Sequence, residues 1–227
     1  MKPNISELND LTYEEALKKD KRSYFEYYIS LIKTKHSLMF SFFPVNDFNS
    51  RIIKIDLFLI LFVVHFVINA LFFTDNTLHK IYVDSGYFNI LYQFPQIFYS
   101  AMISGVINVV VKGLALTEKN IIELKQFKDS AKIENKIKDT NSLLIKKFII
   151  YFILGFLLLI FFIYYIACFC AIYENTQIHL IKDTLISWGL GFVYPLFIFL
   201  MPGIFRILAL RKKRRCIYQL SKLLQLI

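Results

Sequence analysis

The chain has 227 residues, is 56% hydrophobic and 19% charged, and carries a formal net charge of +10. At a mean hydropathy of +0.51 it is too apolar for an ordinary soluble domain. Its basic excess is no nucleic-acid footprint either: 25 of the 27 Lys and Arg fall in residues 1–54, 112–147 and 206–222, as groups of 9, 9 and 7, with long apolar blocks between them.

Residues 1–51 read as a polar, mixed-charge N-terminal segment, cytosolic or interfacial. Its first 35 residues lack an early apolar core, so no cleavable signal peptide is expected. Thr12 and Glu15 have capping-box spacing and open a predicted helix over 12–36. There Lys18, Lys19, Lys21 and Arg22 precede Tyr24, Phe25, Tyr27, Tyr28, Leu31 and Ile32, a pattern that suits a helix approaching a membrane surface. The apolar run 38–43 is too short to span and should break at Pro44.

Residues 52–116 predict a first helical hairpin, with spans at 52–73 and 87–111. At 1.5 Å rise per residue, about 22 residues reach roughly 33 Å, enough for a hydrocarbon core of about 30 Å. Asp56, His65 and Asn69 lie in the first span; Gln93, Gln96 and Asn108 lie in the second, with Lys112 at its end. Such groups face protein or a wet cavity, because lipid leaves them unpaired. Asp56 and Lys112 suit an ion pair near the inner boundary. His65 suits either a hydrogen-bonded place in a helix bundle or a proton relay.

A basic cytosolic loop is expected over 117–147. The second span should continue into it as a helix, with Ile121, Leu124 and Ala131 near one face. Glu134 and Lys138 stand four apart in the favourable order, and a turn is expected at Asp139-Thr140-Asn141-Ser142.

A second hairpin over 148–205 has spans at 148–173 and 184–205. The third span is nearly all apolar, with Tyr164 and Tyr165 read as its strongly polar side chains, and should face lipid or a partner. Gly189, Gly191, Pro195, Pro202 and Gly203 predict a bend in the fourth. In the tail, 206–227, the cluster Arg211, Lys212, Lys213, Arg214 and Arg215 precedes Cys216, Ile217, Leu220, Leu223, Leu224 and Ile227, an amphipathic stripe. A basic cluster beside such a stripe predicts a helix on the inner leaflet, its cations on anionic headgroups. Cys168, Cys170 and Cys216 make no disulfide framework, and Cys216 sits where an S-palmitoyl group or an idle thiol would both fit.

The two connections between spans hold one Lys each, Lys80 and Lys182. Basic residues resist translocation, so both termini are expected in the cytosol. The fold class expected is therefore an all-α membrane protein with four transmembrane helices, two tandem hairpins, and amphipathic cytosolic helices at both ends.

The halves resemble each other. Asp47-Phe48-Asn49-Ser50 and Asp139-Thr140-Asn141-Ser142 precede spans one and three; Asp75-Asn76-Thr77 and Glu174-Asn175-Thr176 follow them. His79 precedes Pro95 by 16 residues, as His179 precedes Pro195. A parallel repeat would make His79 and His179 equivalent. Asp75, His79, Glu174 and His179 then suggest a shared divalent metal, since imidazole and carboxylate bind such ions. The same carboxylate-Asn-Thr segments also suit helix capping. Motifs for metalloproteases, serine hydrolases, P-loops and dinucleotide binding are missing, as are potassium filters and periodic Arg. No cofactor is expected.

Lys35–Phe43, Asn69–Asp75, Tyr92–Gln96 and the basic inner loop resemble segments of uncharacterised multi-span membrane proteins of ciliate-type protist genomes. The resemblance covers roughly residues 35–225; it implies the same membrane topology and transfers no catalytic or binding residue. The reading expected is a non-enzymatic membrane anchor or subunit that works through the bilayer and a membrane-protein partner or second copy. A small oligomeric channel or transporter is the second reading, and a membrane-embedded metal-dependent enzyme the third.

Overall fold

A computed structural model describes residues 5–43, 47–85, 87, 90–126 and 133–225, with main chain alone at 90–92 and 126. All regular structure among them is helical: α1 Ile5–Asp10, α2 Tyr13–Lys19, α3 Tyr24–Lys35, α4 Ser37–Phe42, α5 Arg51–Leu71, α6 Asp75–Val83, α7 Ile90–Ala115, α8 Glu118–Gln126, α9 Ile133–Ile172, α10 Gln177–Ile198, α11 Leu200–Arg211 and α12 Arg215–Leu224. Four segments are long and apolar enough to cross a membrane: Arg51–Leu71, Gln93–Ala115, Ile133–Ile172 and Gln177–Arg211. The chain forms two compact units, Phe48–Gly189 and a second made of Met1–Asp47 with Leu190–Ile227. The expected break at Pro44, Ala131 on a loop face and Ile227 in the tail stripe lie outside the described residues.

The Phe48–Gly189 unit is built around α5. Leu57, Leu61, Val64, Val67 and Ala70 recur at helical spacing and are buried. Leu57 and Leu61 join Val111, Ala115 and Tyr151 in one cluster; Phe66 and Ala70 join Leu78, Ile81, Phe169 and Leu180 in another. Helices α5 and α9 run side by side in the same direction. Tyr151 donates to Asp56 and Tyr165 donates to the Ala70 carbonyl, both across an offset of 95 residues. Gly155 sits against Ile60 at that same offset, close enough that a Cβ would lie 2.9 Å from Ile60 Cδ1. On the other flank of α5, Phe58 and Phe62 pack against Trp188, with ring centroids 5.4 and 4.6 Å away.

Two expectations for 117–147 fail. Helix α7 ends at Ala115 rather than running on, because Asn49 Oδ1 accepts the Thr117 and Glu118 amides (2.9 and 3.2 Å) and Thr117 Oγ1 donates to the Phe48 carbonyl. That side-chain cap starts α8 as a separate helix. No turn interrupts 139–142 either: α9 passes through them for 40 residues. Asp, Thr, Asn and Ser are weak breakers, and no Gly or Pro stands there to enforce a turn. The Glu134–Lys138 pair forms at 2.9 Å on this exposed stretch.

In the other unit the predicted helix over 12–36 is two helices. The Thr12–Glu15 capping box opens α2 and a second box, Ser23–Glu26, opens α3. Residues 20–23 are drawn out between them. Helices α10 and α11 are interrupted at Phe199, between Pro195 and Pro202, where the fourth span was expected to bend. Helices α3 and α4 follow this segment in antiparallel sense: Tyr24 Oη donates to the Leu200 carbonyl (3.3 Å), Tyr28 Oη donates to the Leu196 carbonyl (3.0 Å), and His36 Nε2 lies 2.9 Å from the Phe192 carbonyl. The aromatic face of α3 is therefore spent on protein, and only Phe25 and Ile29 of that helix remain as large exposed apolar side chains.

Candidate functional site

Polar side chains of α5, α7 and α10 meet in one buried seam within the Phe48–Gly189 unit. Asn69 is its centre, 1% exposed. Its Nδ2 donates to Thr184 Oγ1 at 2.9 Å, and its Oδ1 accepts from Gln96 Nε2 and Ser100 Oγ, each at 3.4 Å. One turn earlier on α5, His65 Nε2 lies 3.2 Å from Ser187 Oγ. Gln93 Nε2 donates to Asp183 Oδ2 at 2.7 Å, with both residues buried. On α7 the seam continues through Ser104, which donates to the Ser100 carbonyl, to Asn108.

Helical spacing explains the convergence. His65 and Asn69 are i and i+4; Gln93, Gln96, Ser100, Ser104 and Asn108 follow steps of three and four; Asp183 and Ser187 are again i and i+4. Each set lies on one face. The seam joins His65, Asn69, Gln93, Gln96 and Asn108, five of the six expected intramembrane polar residues, and adds Ser100, Ser104, Asp183, Thr184 and Ser187, which sequence analysis does not place there.

The sixth, Asp56, lies elsewhere. It accepts the Tyr151 hydroxyl at 2.7 Å, toward the other end of α5, a partner not expected from sequence. Tyr151 and Tyr173 both act as polar groups of α9 and its end, beyond the two tyrosines singled out there; Tyr173 Oη donates to Asp75 Oδ1 at 2.6 Å.

Four buried atoms of the seam and its surroundings have no hydrogen-bond partner: Gln93 Oε1, Gln96 Oε1, Asn108 Oδ1 and His179 Nδ1. Three are amide oxygens on one helix. The expected metal set Asp75, His79, Glu174 and His179 is not assembled, because among the described residues no three His, Cys, Asp or Glu side chains come together around a point. Asp75 instead opens α6 behind the Thr74 N-cap and takes the Tyr173 hydroxyl, while His79 and Glu174 are exposed. The cap of α6 is Thr74, whose side chain accepts the Thr77 amide, rather than the Asp75 carboxylate.

The other unit holds an ionic cluster that sequence analysis does not single out. Arg206, 1% exposed, donates to Asp20 Oδ2 from Nη2 (2.7 Å) and Nε (3.0 Å). Arg22 also reaches Asp20, and donates to Asn9 Oδ1 and the Leu8 carbonyl. The Arg206 guanidinium lies 4.7 and 5.0 Å from the Tyr27 and Tyr218 ring centroids, a cation–π arrangement. Burial raises the Asp20 carboxyl, and the Arg22 hydrogen bond with the charges of Arg206 and Arg22 outweighs it, so the group sits below its ordinary value. Burial pushes the Tyr218 hydroxyl up to about 12, against Arg206, so it stays protonated and donates to the Leu11 carbonyl at 2.8 Å.

Arg211, Lys212, Lys213, Arg214 and Arg215 are all exposed, running from the last residue of α11 to the first of α12. The face of α12 turned inward is Tyr218, Ser221 and Gln225, with Ser221 Oγ donating to the Pro202 carbonyl. Cys216, Leu220 and Leu223, on the opposite face, stay exposed. No family model, curated protein or solved structure matches the chain.

Proposed function

We propose that the chain is a non-enzymatic multi-pass membrane protein that acts as an anchor or subunit through a membrane-protein partner or a second copy of itself. One observation carries this reading. Only 6% of the most apolar window of α9 is buried within the chain. Phe152, Ile153, Phe156, Leu157, Ile160 and Ile163 stand exposed along it. An apolar face of this size marks a lipid or protein contact.

In this reading the spans form two tandem hairpins related by an internal repeat, with residues 74–86 on the outer side and both termini in the cytosol. The positive-inside distribution supports that orientation. The matched 16-residue spacings from His79 to Pro95 and from His179 to Pro195 support the repeat. The exposed cations 211–215 beside Cys216, Leu220 and Leu223 support contact with anionic headgroups.

Photo-crosslinking from positions 156 and 160 in native membranes tests the reading. A discrete protein adduct, or a dimer of the chain, is expected. Lipid adducts alone, together with ion flux from the purified chain in liposomes, would replace it with the channel reading, which the three orphan amide oxygens of α7 favour.

A further inference from the structure

The seam is short of donors. Gln93 is 4% exposed, and its amide nitrogen is spent on Asp183. The amide nitrogen of Gln96 is spent on Asn69. Both arrangements leave the Oε1 atoms buried and unpartnered, one helical turn apart on α7. A buried acceptor without a donor costs about 1–3 kcal/mol, and here two stand on the face of α7 that meets α5 and α10, where Gln93 is bonded to the buried Asp183. Asn69 Oδ1, next in line, receives only two long bonds of 3.4 Å.

We infer that Asp183, Gln93 and Gln96 bind a monovalent metal cation of the sodium type. The available ligands are all hard oxygens, the set that suits alkali and alkaline-earth ions rather than zinc or copper. The set carries one carboxylate, enough to balance a single positive charge. Lys182 stands beside Asp183 in sequence, and its charge opposes a second charge on the ion. Amide oxygens replacing a hydration shell are the means by which proteins hold such ions inside membranes. The site is independent of the partner reading, since it needs neither a partner nor transport.

The test is thermal unfolding of the purified full chain in detergent, in sodium, potassium or choline chloride at one ionic strength, with sodium NMR line broadening in parallel. A saturable rise in Tm with sodium or potassium over choline is expected, as ligand binding to the folded state requires. D183N, Q93L and Q96L should each remove that rise while keeping their helical circular dichroism. Identical unfolding in all three salts would overturn the proposal, as would a sodium effect that survives in the variants that fold. Should the variants fail to fold, the NMR decides: excess broadening competed by potassium supports the site, and its absence rejects it. Crosslinking to a partner has no bearing on either readout, so the two proposals fail separately.

Discussion

Arg206 and Asp20, 186 residues apart in sequence, pair at 2.7 Å with side chains 1% and 3% exposed. Removing one partner of such a pair leaves a buried charge uncompensated, at a cost of about 3–5 kcal/mol. Asp20→Ala should therefore lower the Tm of the purified protein sharply. Replacing both partners with apolar residues, as in Asp20→Leu with Arg206→Met, should recover much of the loss. No recovery in the double variant would show that the geometry, not the charge, is what matters.

The same carboxyl predicts an acid sensitivity. Its folded value lies below the ordinary 3.8. A group depressed on folding adds stability that is fully present above its unfolded value and is lost as pH falls through the folded one. Stability should thus fall below about pH 3.8 in part through Asp20. Asp20→Asn should flatten that part of the pH profile, read as Tm against pH.

Tyr151→Phe should cost about 1–3 kcal/mol, since it leaves the part-buried Asp56 carboxylate without its hydroxyl donor. Adding Asp56→Leu should return part of that loss. Guided unfolding in detergent of the two single variants and the double gives the coupling directly.

Much of this was legible in sequence, and the limits follow from particular residues. The four spans come from blocks of apolar residues, a signal that needs no tertiary information. The Thr12–Glu15 box and the Glu134–Lys138 pair are local, and both form. The Ser23–Glu26 box has the same local signature and divides the predicted 12–36 helix. The hydrogen-bond partners of Asn69, Arg206 and Asp56 are 27 to 198 residues away, and periodicity gives the face of a helix but not what it meets. Asp183 reads as a loop carboxylate when the fourth span starts at 184; the helix starts at Gln177 instead and carries it inside.

Two glycines should respond differently to one methyl group. At Gly203 an added Cβ would lie 2.8 Å from the Tyr24 ring; at Gly155 it meets the flexible end of Ile60. Gly203→Ala should cost about 1–3 kcal/mol by overpacking, while Gly155→Ala should be mild because Ile60 can rotate away. Thermal unfolding of the two variants side by side checks the contrast.

Lys213 takes a φ of 51°, and Arg214 N bonds back to the Ala209 carbonyl at 3.0 Å, closing the end of α11. That left-handed position is the one glycine fills at helix ends. Lys213→Gly should leave stability unchanged or raise it by up to about 1 kcal/mol, whereas Lys213→Val should lower it.

In a cysteine-free background, an impermeant thiol reagent applied to sealed membrane vesicles of one orientation should label one of Asn76→Cys and Ser142→Cys and not the other. Equal labelling of both from one side would end the four-span topology.

The bonds from Tyr24, Tyr28 and His36 to carbonyls at 200, 196 and 192 also set an order of events. During synthesis residues 8–36 leave the ribosome long before 192–225 exist. Until then Asp20 has Arg22 but not Arg206, and Tyr24 and Tyr28 lack their carbonyl acceptors, so this unit closes only after translation has passed Arg206. A quality-control protease meeting a stalled or frameshifted product would find that early stretch open to cutting, even with the Phe48–Gly189 helices already in place.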